Sequence, residues 1–437
     1  MNKIIKSICE KKSKIAIIGL GYVGLPLALR FAKAGFKVFG YDTNVSKINS
    51  LAKKKSYLET IQNKTISQFV NTSFFPTSDK LKIKKCDIFI ICVPTPITKN
   101  KTPDMFFIEK SAELIDPFIR KNTIISLEST TYPGTTEDYF LPLITKKNLK
   151  PGVDVNLIYS PERIDPGNEN FNVGNTPKVL AGKTPACAKI GKYLYEKITK
   201  IHLVQNIRTA EFTKLLENIF RSVNIGFVNE MKIIADKLDI DIFETIKAAS
   251  SKPFGYMPFY PGPGLGGHCI PVDPFILAWR AKEFDVPAKF IELSGEINDQ
   301  MPKYVVEKCV SILNANNKKV KNSKVIILGV TYKKNSADLR ESPSIKIIKL
   351  LLEMKAKISL SDKFLPKYLK IKEKKLLNLK FTKNLLKNFD CIILLTDHDY
   401  FDYKNIKKTS KLLVDCRGRF EVSSKEIQLK CLTAVIS

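Results

Sequence analysis

The stretch Lys14-Ile-Ala-Ile-Ile-Gly-Leu-Gly-Tyr-Val-Gly24, continued by Leu25 to Asp42, decides the fold of the N-terminal part of the chain. Its apolar run predicts a strand, its glycines a tight turn, Leu25 to Ala34 a helix, and Lys37 to Asp42 a second strand. The Gly-x-Gly-x-x-Gly motif thus follows a strand, opens a helix, and has an acidic residue 18 positions after its last glycine (42 − 24). This combination is typical of a dinucleotide-binding Rossmann unit.

Each residue of this motif has a physical role. Gly19 permits the turn, Gly21 lets a pyrophosphate approach the backbone, and Gly24 allows close packing of helix on strand. The N-terminus of the helix offers free N–H groups to the phosphates. Asp42 would accept hydrogen bonds from the adenosine ribose and repel a 2′-phosphate, so the sequence predicts NAD rather than NADP. The alternative is an ordinary βαβ turn that binds nothing.

Length and composition limit the classes of protein that fit. The chain has 437 residues, of which 44% are hydrophobic, so we expect two or three folded domains. Lys and Arg (72) exceed Asp and Glu (43) by 29, which favours anionic partners such as nucleotides, nucleic acid or acidic lipid. The lysines are scattered and no nucleic-acid recognition motif is present, so we expect most of this charge to be solvated surface and no nucleic-acid partner.

Cysteine spacing and hydropathy indicate in which cellular compartment the chain is expected to work. Nine cysteines without a Cys-x-x-Cys pair argue against a disulfide framework and against a zinc site, so no metal is predicted and a reducing, cytoplasmic location is expected. The lysines before the apolar run Ile15 to Leu29 imitate a signal peptide, but the glycines and the proline in that run fit a strand and a helix better. No other apolar stretch approaches ~20 residues, so no membrane span is predicted.

Polar turns follow three predicted strands of the N-terminal part. Cys86 to Cys92 leads into Val93-Pro-Thr-Pro96, Asn122 to Glu128 leads into Ser129-Thr-Thr-Tyr-Pro-Gly, and Leu157-Ile-Tyr leads into Ser160-Pro-Glu-Arg163. Open α/β sheets bind ligands at the carboxyl ends of their strands. We therefore expect these turns to line a site, although Glu162 and Arg163 could also be plain surface charges.

The middle and the C-terminal parts have different patterns. From Arg208 to about Lys237, apolar residues recur at helical spacing, with Lys214, Asn218 and Arg221 on one face, and a mainly helical stretch runs to about residue 312. A second α/β pattern without the glycine motif starts at Ser323. The predicted fold class is α/β, with two Rossmann-like parallel-sheet domains joined by a long central helix and an all-helical middle domain. The expected domains are 1–205, 206–315 and 316–437.

A glycine- and proline-rich loop, residues 253–280, carries the candidate chemistry. Four glycines precede Cys269, and Asp273 follows it. Such a loop wraps a ligand closely, and a thiol presented by it indicates covalent catalysis, whereas a buried, inert thiol is the alternative. His268 is a poor candidate base, because adjacent residues of an extended segment project in different directions.

These motifs together resemble the four-electron, NAD-dependent nucleotide-sugar 6-dehydrogenases along nearly the whole chain. The shared segments are Gly19-x-Gly-x-x-Gly24, Val93-Pro-Thr-Pro96, Ser129-Thr130, Ser160-Pro-Glu162, Lys214-x-x-x-Asn218, Gly266-Gly-His-Cys-Ile-Pro-x-Asp273, and Lys333 through Arg340-Glu-Ser-Pro-Ser. The resemblance implies an N-terminal NAD domain, a central helical domain that dimerises, and a C-terminal domain that binds UDP. It implies a homodimer or a dimer of dimers, and a role in surface polysaccharide synthesis.

The resemblance also implies roles for single residues. Cys269 resembles the family's nucleophile and Asp273 its partner in water and proton handling, while Lys214 and Asn218 look like the pair that stabilises the oxyanion. Thr130 and Glu162 look like the groups that hold a water near the sugar C6. The implied cofactor contacts are Gly19, Gly21, Tyr22, Val23, Gly24, Asp42, Pro94, Thr95, Thr130 and Arg340. The implied substrate contacts are Glu162, Arg163, Lys214, Asn218, Phe259, Tyr260, Gly264, Gly266, Lys333 and Arg417.

One departure bears on the substrate. UDP-glucose enzymes commonly carry a second Glu four residues after the position of Glu162, where this chain has Pro166. The string Ser160 to Asn168 looks more like the N-acetylglucosamine branch, and Asp165 is a candidate replacement for the missing acid. The expected substrate is therefore UDP-N-acetylglucosamine, with UDP-N-acetylmannosamine or UDP-glucose as alternatives.

The chemistry explains why a cysteine is needed. Oxidation of the sugar's primary alcohol gives an aldehyde, which the Cys269 thiolate would hold as a thiohemiacetal, and a second oxidation leaves a thioester that water hydrolyses. Two alternatives from other classes remain. One is a two-electron dehydrogenase in which Cys269 is structural, and the other is a basic nucleic-acid-binding protein with a vestigial dinucleotide fold.

Overall fold

The computed structural model describes residues 3–98, 100–144, 149–164, 170–267 and 270–420. The chain divides into two compact units. The first consists of Met1–Glu217 with Phe275–Val286, and the second of Asn218–Pro274 with Pro287–Ser437. None of the helices in the described ranges is long and apolar enough to cross a bilayer.

The first unit is an α/β domain. Its strands are β1 (Lys14–Ile18), β2 (Lys37–Tyr41), β3 (Phe74–Thr77), β4 (Ile88–Ile91), β5 (Thr123–Leu127), β6 (Val155–Tyr159), β7 (Lys178–Gly182) and β8 (Ile201–Leu203). Its helices are α1 (Lys3–Cys9), α2 (Gly24–Lys33), α3 (Val45–Ala52), α4 (Asn63–Phe69), α5 (Phe106–Ile115), α6 (Leu141–Ile144) and α7 (Pro185–Tyr195). Local signals fix several helix starts, since Asn44 accepts backbone N–H bonds at the start of α3 and Thr184 at the start of α7.

The strands of the first unit form one sheet in the order β3-β2-β1-β4-β5-β6-β7-β8. All pairs are parallel except β6 with β7, which is antiparallel. Both faces of the sheet are covered, because alternate residues of β1 belong to two different apolar clusters. The strand order reverses between β1 and β4, which is where such sheets bind their ligands.

Four helices follow β8 along the chain. They are α8 (Ile207–Lys237), α9 (Ile242–Ala249), α10 (Asp273–Lys282) and α11 (Lys289–Ala315). Within the second unit, α8 and α11 are tied by buried amides, since Asn229 Nδ2 donates to Asn298 Oδ1 at 2.8 Å. Asn298 Nδ2 in turn donates to the Ser222 carbonyl at 3.1 Å.

The C-terminal part of the second unit has its own sheet. Its strands are β9 (Lys324–Leu328), β10 (Lys357–Ser361), β13 (Cys391–Leu394) and β14 (Leu413–Asp415), and its helices are α12 (Pro343–Glu353) and α13 (Tyr403–Thr409). The order is β10-β9-β13-β14, and all pairs are parallel. A separate antiparallel hairpin is formed by β11 (Tyr368–Ile371) and β12 (Lys374–Leu377).

The predicted fold class is confirmed, with two sheets of Rossmann type and a helical middle part. The long helix predicted from Arg208 to about Lys237 runs from Ile207 to Lys237. The prediction of parallel sheets did not include strand β7, which is antiparallel to β6. The domain limits 1–205, 206–315 and 316–437 stay a prediction.

Candidate active site

The glycine motif forms the turn between β1 and α2. Gly19 has a φ of +91°, and its N–H donates to the Tyr41 carbonyl at 2.8 Å. A Cβ on Gly24 would lie 1.9 Å from the Gly19 carbonyl oxygen, so only glycine permits this approach of helix to turn. At Gly21, by contrast, no atom lies within 4 Å of a built Cβ, which leaves open space beside the backbone. The chain therefore fits a pyrophosphate placed against Gly21 and the start of α2.

Asp42 follows β2 and is almost fully buried. Its Oδ2 accepts a hydrogen bond from the Leu20 N–H at 2.9 Å, and its Oδ1 accepts one from the Asn44 N–H at 2.8 Å. Lys47 also lies beside it, with Nζ 3.1 Å from Oδ2. Asp42 thus holds the glycine turn in addition to the ribose role predicted for it, a task that the sequence did not suggest. Tyr22 and Val23 are half-buried at the same turn.

The turns after β4 and β5 lie together, as expected for neighbouring parallel strands. The Thr95 hydroxyl donates to the Thr130 carbonyl at 2.5 Å, and the Ser129 hydroxyl donates to the Val93 carbonyl at 2.7 Å. Pro94 is exposed at this edge. The structure therefore brings the predicted cofactor contacts Pro94, Thr95 and Thr130 to one place.

Glu162 belongs to a buried network of charges at the ends of β5, β6 and β7. Its Oε1 accepts the N–H groups of Arg163 and Ile164 at 2.7 and 3.0 Å, and its Oε2 lies 3.4 Å from Lys178 Nζ. The same ammonium group lies 2.6 Å from Glu128 Oε2. Arg163 points its guanidinium to the Pro177 carbonyl and to Glu217.

Burial and the neighbouring charges shift the pKa values of Glu128 and Lys178 in this network. Desolvation raises the pKa of Glu128 to about 7, although Lys178 opposes the shift. Burial alone would lower the pKa of Lys178, but Glu128 and Glu162 hold it above its ordinary value. Lys178 was not among the predicted site residues, although a single lysine in the otherwise apolar strand Lys-Val-Leu-Ala-Gly was a signal for it. Asp165 and Pro166 lie outside the described residues.

The predicted oxyanion pair comes from α8. Lys214 and Asn218 are both buried, with 7% and 0% of their surface exposed. Asn218 Nδ2 donates to Asp273 Oδ2 at 2.5 Å, and its Oδ1 accepts from the Arg221 guanidinium. Asn218 thus connects Arg221 to Asp273 in the second unit. Asp273 was predicted beside Cys269, but His268 and Cys269 lie outside the described residues.

The glycine loop is anchored on the second unit at several points. Gly262 N–H donates to Asn229 Oδ1 at 3.0 Å, and Gly267 N–H donates to the Arg340 carbonyl at 2.9 Å. Gly264 has a φ of +124°. A Cβ on Gly266 would lie 2.3 Å from the Cβ of Tyr332, so this position requires glycine for space. Both glycines were predicted substrate contacts.

A cavity of about 350 Å³ lies at the carboxyl edge of the C-terminal sheet. It is lined by Tyr260, Pro261, Asp397, Arg417, Gly418 and Arg419. Arg417 Nε donates to the Leu395 carbonyl at 2.7 Å, which fixes its guanidinium. Phe259 packs edge-on against Phe220 with ring centroids 5.7 Å apart. Tyr260 and Arg417, two of the predicted substrate contacts, are therefore brought together here.

Asp415 shapes the turn that carries Arg417. Its carboxylate is fully buried and accepts the N–H groups of Arg417, Arg419 and Phe420 at 2.8, 2.6 and 3.1 Å. Burial raises its pKa to about 6, although these hydrogen bonds oppose the shift.

The turn that carries Lys333 is held by a second buried acid. Asp362 Oδ2 accepts the Val330 N–H at 2.8 Å and lies 3.1 Å from His398 Nε2. The Asn335 N–H donates to His398 Nδ1 at 3.0 Å. Burial alone would raise the pKa of Asp362, but its hydrogen bonds, first that from His398, hold it below its ordinary value. In the same turn, the Arg340 guanidinium pairs with Asp338.

Most thiols of the described chain are buried. Of the seven cysteines described there, six are buried and Cys9 is partly exposed. Burial raises the pKa of Cys86 to about 12 and raises that of Cys92 and Cys416 as well. Thiols of this kind stay protonated and unreactive at neutral pH. Among the described residues, no cluster of His, Cys, Asp and Glu could hold a metal ion.

Three models of the UDP-glucose/GDP-mannose dehydrogenase family match consecutive parts of the chain: the NAD binding domain over residues 13–199, the central domain over 208–300, and the UDP binding domain over 326–422. The first of these matches confirms the prediction of NAD as the cofactor.

Individual relatives cover most of the chain. Protein CapL of Staphylococcus aureus is 37% identical over 92% of this chain and 95% of its own. A UDP-N-acetyl-D-glucosamine 6-dehydrogenase of Pseudomonas aeruginosa is 36% identical over 80% of this chain and 83% of its own. A solved UDP-D-ManNAc dehydrogenase of Pyrococcus horikoshii superposes with a TM-score of 0.84 at 28% identity, covering 94% of this chain and 96% of its own.

Proposed function

Because the chain belongs to the UDP-glucose/GDP-mannose dehydrogenase family and is therefore an NAD-dependent oxidoreductase, we propose that it oxidises the C6 hydroxyl of a UDP-hexosamine to the carboxylate. The proposed first substrate is UDP-N-acetylglucosamine, and the uronic acid would feed surface polysaccharide synthesis. The observation that carries the proposal is the cavity beside Arg417 and Tyr260, where an aromatic ring and a fixed guanidinium offer partners for a base and for phosphates.

In this proposal, the NAD domain holds the cofactor and positions water. The start of α2 and Gly21 bind the pyrophosphate, and Asp42 binds the ribose. NAD, when bound, supplies hydride acceptance. Thr130 and Glu162 hold a water near C6, and the buried charges around Glu162 keep its carboxylate oriented. These residue roles follow from the family resemblance and from the positions at strand ends.

The remaining groups act on the reacting carbon. Lys214 and Asn218 stabilise the oxyanion, and the thiolate of Cys269 holds the aldehyde as a thiohemiacetal and then the acid as a thioester. Asn218 is oriented by Asp273 and Arg221, so its amide presents a defined dipole. Lys333, Gly264, Gly266, Phe259, Tyr260, Arg163 and Arg417 contact the sugar nucleotide, and Arg340 reaches the cofactor. The proposed domains are 1–205 for NAD, 206–315 for dimerisation and the catalytic loop, and 316–437 for the UDP-sugar.

A yield measurement tests the reaction. With a limiting amount of each UDP-sugar and excess NAD⁺, we expect two NADH for each UDP-N-acetylglucosamine consumed, because the alcohol passes through two oxidation levels. Cys269→Ser is expected to turn over slowly or not at all and to accumulate an intermediate. One NADH per sugar, or full activity of Cys269→Ser, would indicate a two-electron dehydrogenase instead.

UDP-N-acetylmannosamine is the second candidate substrate. It is supported by the similarity to the UDP-D-ManNAc dehydrogenase of Pyrococcus horikoshii. The two sugars differ in configuration at C2, so kcat/KM measured separately with each UDP-sugar distinguishes them. A preference of tenfold or more for the mannosamine would reverse the assignment, and a preference for UDP-glucose would reject a hexosamine altogether.

The proposed oligomer is a homodimer, alone or as a dimer of dimers. In the second unit, α8 and the residue after it expose a stripe of apolar side chains at helical spacing: Phe220, Phe227, Met231, Ile234 and Leu238, each at least 36% exposed. Apolar stripes of this length are usually covered by another surface. A second copy of α8 offers the matching stripe in an isologous dimer.

A further inference from the structure

Lys178 is a buried cation that has no role in the reaction proposed above. Only 2% of its surface is exposed, and its Nζ has three acceptors: Glu128 Oε2 at 2.6 Å, the Pro161 carbonyl at 3.2 Å and Glu162 Oε2 at 3.4 Å. An ammonium group has three N–H donors, so this environment satisfies all of them. Lysine is almost never fully buried unless it is paired in this way.

Strand β7 explains how Lys178 reaches this place. Parallel strands all begin at the opposite edge of the sheet, far from the ligand edge where β5 and β6 end. Because β7 is antiparallel to β6, its first residue lies at the ligand edge instead. Ile158 pairs with Gly182 and Tyr159 with Ala181, and continuing this register places Lys178 opposite Glu162.

We propose that Lys178 is a positioning residue, the buried counter-ion that pairs with the Glu162 carboxylate and fixes its orientation at the ligand edge of the NAD domain. The proposal rests on the function proposed above, in which Glu162 holds a water near the sugar C6. Glu162 Oε1 is fixed by two backbone N–H groups, and Lys178 fixes Oε2. Glu128 serves as the second anchor of the ammonium group, and it is itself held by the Tyr195 hydroxyl at 2.5 Å.

The charged and titratable groups around the network of Glu162, Lys178 and Glu128 come from several elements. They are Glu128 after β5, Lys178 in β7, Cys92 after β4, Tyr195 in α7, and Arg163, which pairs with Glu217. Within this set, Lys178 is the cation bonded directly to Glu162 Oε2. Removing it leaves a buried carboxylate facing a second carboxyl, so the neutral form of Glu162 gains relative to the charged form.

The test compares two variants that both remove the ion pair of Lys178 with Glu128. Lys178→Met removes the cation. Glu128→Gln keeps the cation and replaces the Glu128 carboxyl, which is already neutral in acid because its pKa is about 7. We expect Lys178→Met to move the acidic limb of kcat/KM upward by about one pH unit or more. Glu128→Gln and Lys178→Arg are expected to leave that limb within a few tenths of a unit. A purely structural role predicts the same change in Lys178→Met and Glu128→Gln.

A second readout does not need catalysis. Infrared difference titration detects the protonated carboxyl of Glu162, assigned by its loss in Glu162→Gln, and should show the same shift in Lys178→Met. This readout separates the two proposals, because absence of NADH formation with every UDP-sugar would reject the function while the titration still reports on Lys178. Lys183→Met is the matched control, since Lys183 follows β7 and pairs with Glu137 at the surface.

Three results would overturn the role of Lys178. They are an unchanged titration of Glu162 in Lys178→Met, an equal shift in Glu128→Gln, and an equal shift in Lys183→Met. Should Lys178→Met fail to fold, Lys178→Gln takes its place, and the same comparison with Glu128→Gln decides the outcome.

Discussion

Asp42 holds the glycine turn and is the residue that we propose contacts the ribose of the cofactor. Its carboxylate holds the glycine turn through Leu20 N–H, and Lys47 stands beside it. The sequence predicted the ribose contact from spacing alone. It could not predict the bond to Leu20 or the pairing with Lys47, because both depend on how the turn folds back over β2.

Asp42→Asn should weaken the preference for NAD over NADP. The amide removes the negative charge that repels a 2′-phosphate and leaves Lys47 free to meet that phosphate. We expect the ratio of kcat/KM for NAD to that for NADP to fall about tenfold, which corresponds to about 1.4 kcal/mol. Steady-state kinetics with both cofactors measure it, and Asp79→Asn, at an exposed acid beyond β3, is the control. An unchanged ratio would contradict the assignment.

Asp415 should make the free energy of unfolding depend on pH in a defined direction. Burial raises its pKa from 3.8 to about 6, so the folded state binds a proton more tightly than the unfolded state. The stability that this proton confers is complete below pH 3.8 and is lost as the pH rises through 6. The unfolding free energy of the unmodified protein minus that of Asp415→Asn should therefore fall across this window by roughly 1–3 kcal/mol.

Urea denaturation between pH 3.5 and pH 8, in steps of about half a unit, measures this difference. It should be constant above about pH 7, because Asp415 is then ionised in both states. A difference that rises with pH would mean that the three backbone N–H groups outweigh the burial of the carboxylate.

At the scale of elements, periodicity identified the strands β1, β2, β4, β5 and β6, the four strands of the C-terminal sheet and the helix α8. It missed β3, β7, β8 and the hairpin β11–β12. Strand β8 has only three residues, and the hairpin is rich in exposed lysines, so neither has an apolar pattern. The direction of β7 depends on its pairing with β6, and pairing between strands far apart in the chain has no local signal.

Gly266→Ala tests the seating of the glycine loop. The new Cβ would lie 2.3 Å from the Cβ of Tyr332, so the loop must move away from the turn that carries Lys333. We expect kcat/KM for the UDP-sugar to fall at least about tenfold, with a loss of about 1–3 kcal/mol in unfolding free energy. Pro258→Ala, at an exposed position of the same loop, is the control. Retention of full activity would show that the loop position does not matter for turnover.

At the scale of the whole molecule, the family and the cofactor followed from seven short motifs spread along the chain. The sugar did not, because the relatives include enzymes named for two different hexosamines. Discrimination between such sugars rests on a few contacts of about 1–3 kcal/mol each, which motifs do not encode.

Phe227→Glu should prevent association through α8. A charge in the middle of the apolar stripe would be desolvated without a partner in a dimer. Light scattering after gel filtration is expected to give a multiple of 49.4 kDa for the unmodified protein and 49.4 kDa for the variant. Glu230→Gln, at an exposed position of the same helix, should leave the mass unchanged. A monomeric unmodified protein at micromolar concentration would reject the dimer.

The shielding of the cysteines makes the protein suited to selective chemical labelling. Six of the seven cysteines described in the structure are buried, and only Cys9 is partly accessible. If Cys269 is the nucleophilic thiolate that we propose, a limiting amount of an alkylating reagent should modify the native protein first at Cys269, and bound UDP-sugar should slow that reaction. With Cys9 and Cys431 replaced by Ser, a fluorophore could be attached at a single position of the protein, and peptide mapping by mass spectrometry would identify that position directly.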